Sequence, residues 1–283
     1  DLNLKKVYSL LYSDGNTDIL QYLNVDAIDY CTFGNSKPFR IKVRNILNDN
    51  YTYFYIKKAD ASRVYGLELE HLLSPYKINF LVFKDTLIEE HITGIPGDVF
   101  MQTFLPRCTE TEKAQIAKEF VKFNERCMIR LLGDMRSYNY VVIPIHDFDQ
   151  IVFKIRPIDF DQQCYEGNFK VYRPQFFKEN YPMIKNVKDK LQDRSIEQYK
   201  NEERSALAKR INSAENRIKI LMKIMGNDFI SNEENLSQLK LELYRYTNDI
   251  NFKNAKSMGN VLSAAFEFVT RNFNSANLFK PGF

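Results

Sequence analysis

The 283-residue chain is long enough to bury one large core or two modest ones. Lys and Arg number 40 against 36 Asp and Glu, and with the signs interspersed this excess makes no case for nucleic acid; no apolar run is long enough to cross a bilayer. Cys31, Cys108, Cys127 and Cys164 form no C-x-x-C pair and the three histidines are scattered, which argues against a structural zinc site or a disulfide framework.

Residues 1–23 mix apolar and polar positions at helical spacing and read as an N-terminal helical extension; the first residue is not Met, so the expectation is a chain that begins inside a longer one or after processing. From residue 24 the period becomes that of strands: "DAIDYCTFG", "PFRIKVRNI", the polar turn "LNDN" and the aromatic, β-branched "YTYFYIKK" predict an antiparallel meander. "SRVYGLELEHLLSP" predicts a short helix with Tyr65, Leu69, Leu72 and Leu73 on one face and Pro75 closing it. Two more strands, "INFLVF" and "TLIEEHI", join at Lys84 and Asp85, and the "TGIPGD" cluster sets a lobe boundary at 93–97. The expected organisation is the extension 1–23, a strand-rich lobe 24–93 and a mainly helical lobe 94–283.

The second half opens on "TEKAQIAKEFVKFNERCMIRLL", where Ile116, Phe120, Phe123 and Cys127 recur at helical steps. It runs into "GDMRSYN". Gly, Asp, Ser and Asn are ordinary turn residues, so a turn between helix and strand is the plain reading. After it, "YNYVVIP", the turn-like "HDFDQ" and "IVFKIRPIDFD" predict a β-hairpin. Asn139 stands where the hairpin begins and Asp159 just past its end. Paired strands lie about 5 Å apart, so the hairpin is expected to bring those two side chains together, with Asp134 near the same point. Two oxygen ligands, a third carboxylate and Arg136 suit Mg²⁺ with a phosphate-bearing substrate. In the first half, Lys57 or Lys58 at the end of "YFYIKK" is expected to meet Glu68 or Glu70 on the following helix, with Lys57 and Glu68 the favoured pair. From residue 191 onward charged segments read as helices, and "YKNEERSALAKRINSAENRIK" reads as a solvated helix face with i, i+4 pairs.

Taken together, the order of these parts over residues 28–165 resembles the protein-kinase-like fold, in particular its aminoglycoside phosphotransferase and choline kinase branch. "FYIKK" is similar to the strand with the phosphate-binding Lys, "LELE" to the helix with its Glu partner, "LIEEHITGIPGD" to the hinge strand, "GDMRSYN" to the D-x-x-x-x-N catalytic loop, and "IDFD" to the D-F-G element. The departures are Leu132 where that branch has His, Asp161 at the third position of D-F-G, Gly34 as the only glycine available for a phosphate-covering loop, and no A-P-E after "IDFDQQCYEG".

The resemblance implies an α+β, bilobal fold with an antiparallel-sheet N-lobe and a mainly helical C-lobe. It also implies an ATP- and Mg²⁺-dependent phosphotransferase acting on a hydroxyl of an unidentified small-molecule acceptor. In that reading Asp134 accepts the hydroxyl proton with Arg136 beside it, and Asn139 and Asp159 hold Mg²⁺. Lys57 clamps the nucleotide phosphates with Glu68 orienting it. Adenine stacks on apolar residues such as Ile56, with its edge on the backbone of Glu90, His91 and Ile92. Residues 191–273 stand where that branch sets acceptor specificity. A cytoplasmic location and a possible protein partner complete the expectation. The competing reading is a kinase-like scaffold without turnover, serving as a nucleotide-binding or protein-interaction module.

Overall fold

The structure, a computed structural model, describes residues 1–32, 36–148 and 150–272, with the backbone alone at Gln150. Gly34, the Asp149 of the "HDFDQ" turn and residues 273–283 lie outside the described residues. The chain is α+β, with an antiparallel sheet in its N-terminal part and mostly helices in its C-terminal part. It divides into two compact units, Asp1–Ile92 and Thr93–Phe283.

Unit 1 begins with α1 (Leu2–Tyr12) and continues through β1 (Leu23–Tyr30), β2 (Phe39–Asn45), β3 (Asn50–Lys58), α2 (Ala61–Leu73), β4 (Phe80–Phe83) and β5 (Thr86–Glu90). The strands form one antiparallel sheet in the order β1-β2-β3-β5-β4. Because side chains alternate across a strand, β3 divides its residues between two faces. Phe54 and Ile56 lie on the core side, where Leu11 of α1 meets Leu23, Ile41 and Val43, while Tyr53, Tyr55 and Lys57 lie on the other. Residues 1–23 are therefore no separate appendage, since α1 supplies part of this core. On α2 the buried stripe runs Ser62, Gly66, Leu67, Leu69, Glu70 and Leu73. It takes in Glu70 rather than Glu68, because position 70 lies one turn from both Gly66 and Leu73, which corrects the expectation that Glu68 turns inward. Asp60 caps the helix by accepting the Arg63 N–H at 2.9 Å.

Unit 2 opens with β6 (Ile95–Pro96) and a short turn α3 (Gly97–Val99), then α4 (Glu110–Arg130), started by a reciprocal capping box between Thr109 and Glu112. Ile116, Phe120, Phe123 and Cys127 are all buried, as their spacing predicts. β7 (Tyr140–Asp147) and β8 (Gln150–Pro157) form the hairpin, with β6 alongside β7. The rest is helical: α5 (Tyr181–Lys190), α6 (Asp193–Ser213), α7 (Glu215–Asn227), α8 (Glu233–Thr247), α9 (Ile250–Asn254) and α10 (Met258–Asn272). No helix among the described residues is long and apolar enough to cross a membrane.

The charged stretch read as a solvated face is one only in part: Lys209, Glu215, Arg217 and Lys219 are exposed and Lys219 pairs with Glu215 at i, i+4, whereas the start of the stretch is buried. α6 packs on α4 and buries Lys200, Glu203 and Arg204. Arg204 Nε donates to Glu125 Oε1 at 2.5 Å, and Arg126 meets Glu203 at 3.3 Å and Glu119 at 2.9 Å. A helix that carries charges all round can still be sandwiched when its neighbour supplies the opposite charges at matching heights. Burial chiefly pushes Glu125 up from the ordinary carboxylate value, and Arg204 opposes that push.

Candidate active site

The loop after α4 is built by backbone constraints before any side chain acts. Leu131 closes the helix in the left-handed region at φ +52°, and Leu132 forms an isolated bridge with Gln163. Gly133 N–H donates to Gln162 O at 3.1 Å, where a Cβ would stand 3.0 Å from that same oxygen, so only glycine fits without a shift. Asp134 then takes φ +55°, a conformation Asp tolerates better than most residues, and its N–H donates to Val171 O at 3.1 Å.

Three side chains converge on this loop. Arg136 Nε donates to Asp134 Oδ1 at 2.8 Å, and Asn139 Nδ2 donates to the Asp134 carbonyl at 2.7 Å and approaches its Oδ2 at 3.3 Å. Arg136 also reaches Glu179 Oε1 from its Nη1 at 2.8 Å and lies 5.0 Å over the Phe177 ring. Its guanidinium is held above its ordinary value chiefly by the hydrogen bond to Asp134.

At the foot of the hairpin, Tyr140 pairs with Pro157 and Ile158 N–H donates to Asn139 O at 3.0 Å, so Asn139 and Asp159 flank one end of β7–β8. The Asn139 carboxamide spends its nitrogen on Asp134 and keeps Oδ1 as its open end; Asp159 Oδ1 accepts the Asp161 N–H at 3.3 Å. Two such hard oxygen donors fit a cation of the Mg²⁺ type that takes its remaining ligands from phosphate and water. Among the described residues no three His, Cys, Asp or Glu side chains group as a protein-only metal site.

Below the loop, Asn180 is wholly buried and fully used: its Nδ2 donates to Met135 O at 3.0 Å and Pro174 O at 2.8 Å, and its Oδ1 accepts the Tyr140 hydroxyl at 2.9 Å. Gly97 presses on the same loop from the other side: a Cβ there would stand 2.5 Å from Ser137 O and run into the Tyr140 ring. Glu179, Phe177, Asn180 and Gly97 carry no local sequence signal for this position, since the fold brings them in from some forty residues away.

In unit 1, Lys57 does not pair with Glu68. Its Nζ lies 2.5 Å from Glu89 Oε1, both side chains being over nine-tenths buried. The register explains the exchange: Lys57 stands opposite Leu87, and Glu89 is the diagonal neighbour on the same face of β5. Lys58, opposite Thr86, is exposed, which leaves Lys57 as the inward lysine of the two. Ile56 falls on the α1 side of the sheet, so it cannot share a ligand surface with Lys57; the ring on the Lys57 face is Tyr55, whose hydroxyl lies 3.2 Å from His91 Nδ1. Burial, with Arg40 nearby, holds His91 below its ordinary value and hence neutral at pH 7. Of the three backbone groups expected to face adenine, Glu90 N–H is engaged by Asn79 O at 3.0 Å and His91 N–H by Tyr53 O at 3.1 Å, because the sheet runs on past β5. Ile92 N–H makes no such bond among the described residues, and its side chain is buried.

No family model matches the chain, and no curated protein matches it. Among solved structures it is similar to an ethanolamine kinase from Plasmodium vivax at 12% identity, covering 94% of this chain and 89% of that one, with a TM-score of 0.32, an overlap too low to carry a function.

Proposed function

We propose that the chain is a kinase-like phosphotransferase that uses ATP and Mg²⁺ and moves the γ-phosphoryl group to a hydroxyl of a small-molecule acceptor. The observation that supports it most is the Asp134–Arg136–Asn139 loop set at the foot of the β7–β8 hairpin with Asp159 across it. Phosphoryl transfer needs a carboxylate to take the hydroxyl proton, oxygen donors for the metal and a cation for the developing charge. Asp134 would serve as the base, Asn139 and Asp159 as metal donors, and Arg136 as the cation. Bound Mg²⁺ would neutralise phosphate charge. Lys57 is the candidate for the remaining phosphate contact, oriented by Glu89 rather than Glu68, and the backbone at Glu90, His91 and Ile92 the candidate edge for the base, chiefly through Ile92 N–H.

One observation favours the second reading, a nucleotide-binding or interaction scaffold without turnover: the Lys57 ammonium is already neutralised by Glu89 in a nearly buried pair. A screen of hydroxyl-bearing metabolites with γ-labelled ATP, run against Asp134→Asn as the blank, separates the two. Label transferred by wild type and not by the variant supports the enzyme; no transfer to any acceptor or to water supports the scaffold.

A further inference from the structure

Glu179 has no part in the site as read from sequence, yet it touches the residue that touches the candidate base. Arg136 divides its guanidinium between two carboxylates, Nε to Asp134 Oδ1 and Nη1 to Glu179 Oε1, each at 2.8 Å. A lone Arg–Asp pair tends to close into a two-point fork that engages both carboxylate oxygens. Here the second point is given to Glu179, and Asp134 Oδ2 stays outside the fork, with only the long 3.3 Å approach of Asn139 Nδ2 among the described residues.

The arrangement is poorly explained by stability. Glu179 Oε2 is buried and has no hydrogen-bond partner among the described residues, while Arg136 is about one-third exposed, a setting in which ion pairs return little. Nor does Glu179 hold its own segment in place, because the adjoining Asn180 already ties that segment to Met135 O, Pro174 O and the Tyr140 hydroxyl. Phe177, two residues before Glu179, supplies the ring under the guanidinium, so one short stretch fixes both the height and the direction of Arg136.

We propose that Glu179 is a positioning residue: by holding Arg136 Nη1 it limits Arg136 to a single bond with Asp134 and keeps Asp134 Oδ2 open to the acceptor hydroxyl. The inference rests on the phosphotransferase reading of the site. It predicts that without the Glu179 charge Arg136 swings onto Asp134 and closes over both oxygens, so that turnover falls while nucleotide binding is kept.

The test uses the full chain carrying Glu179→Gln, Glu179→Asp or no change, with Arg136→Lys to assign the Arg136 side-chain signal in ¹⁵N spectra. Glu179→Gln is expected to lower kcat by about tenfold to a hundredfold, the range for a misplaced catalytic group, leave KM for ATP and the melting temperature near wild type, and shift the Arg136 Nε–H resonance. Glu179→Asp should recover part of the lost kcat. An unmoved Arg136 resonance, an unchanged kcat, or a loss shared equally by both variants together with a lower melting temperature overturns the positioning role. Those results leave the phosphotransferase reading standing; a wild type that transfers phosphate to nothing removes both.

Discussion

Asn139 donates its side-chain amide to the carbonyl oxygen of Asp134, five residues back, at 2.7 Å. That one bond decides what each residue has left to offer. It fixes the carboxamide so that Oδ1 is the free end, and it ties the loop across the left-handed turn at Asp134. The spacing D-x-x-x-x-N thus has a local structural reason as well as a catalytic one.

The two acidic positions are expected to separate by step. Asp134→Asn keeps shape and removes the proton acceptor, so it should lower phosphate transfer by about 10²–10⁴-fold while Mg·ATP binding persists. Asp159→Asn should weaken Mg·ATP binding itself. Thermal shift reads the binding half, since a ligand specific to the folded state adds about 2.7 kcal/mol at a hundredfold excess over Kd. A wild type that shows no shift with any nucleotide and metal sinks both assignments.

Lys57 and Glu89 form a nearly buried pair, and such pairs are costly to break from one side. Lys57→Met is expected to destabilise the protein by about 3–5 kcal/mol in urea unfolding, because Glu89 then keeps its burial and loses the Lys57 ammonium. Lys57→Met combined with Glu89→Leu should recover most of that loss. If the single change is as mild as an exposed substitution, the two side chains do not form a buried unit; if the double variant recovers stability and still lacks the nucleotide shift, Lys57 acts in binding as well.

The elements of both units were legible because their periods are strong: the meander, the amphipathic α4 and the hairpin each declare themselves over eight or more residues. What was not legible followed from pairings the periods do not contain. Lys57 meets Glu89 rather than Glu68 because the strand order places β5 beside β3, and a sequence read in chain order sees the helix first. The burial of Glu203 and Arg204 depends on Arg126 and Glu125 of α4, about 80 residues away in sequence, so their charges read as solvated. Glu70 for Glu68 is a smaller error of the same kind: a two-residue difference in helical phase, with Glu70 on the buried stripe that also carries Gly66 and Leu73.

Gly97 is the test of how tightly the loop is held. An added methyl would meet the backbone oxygen of Ser137 and the ring of Tyr140, and neither is a flexible side-chain end. Gly97→Ala should therefore cost about 1–3 kcal/mol through overpacking and lower activity more than Mg·ATP binding, because the displaced residues follow Asp134 directly. Equal stability to wild type in urea unfolding would mean that the loop yields freely.

Cys164 is wholly buried, and burial pushes its thiol up to about 12 from an ordinary value of 9.0, a push only partly offset by the Gln163 amide at 3.1 Å. The native chain therefore keeps the proton between those two pH values while the unfolded chain releases it, so the stabilisation is complete below about pH 9 and is lost as pH rises toward 12. One such proton gives a limiting slope of about 1.4 kcal/mol per pH unit; Tyr140 and Tyr172, raised by burial as well, add to it where the unfolded phenol titrates. Cys164→Ala deletes the thiol's share and keeps the others. Its urea-unfolding free energy should start below wild type at pH 8, where the methyl leaves a small gap, and then fall less steeply between pH 9 and 11, so that the two curves converge. Parallel curves across that interval would show that the Cys164 thiol titrates alike in the folded and unfolded chains, and that its burial is not what the native state maintains at high pH.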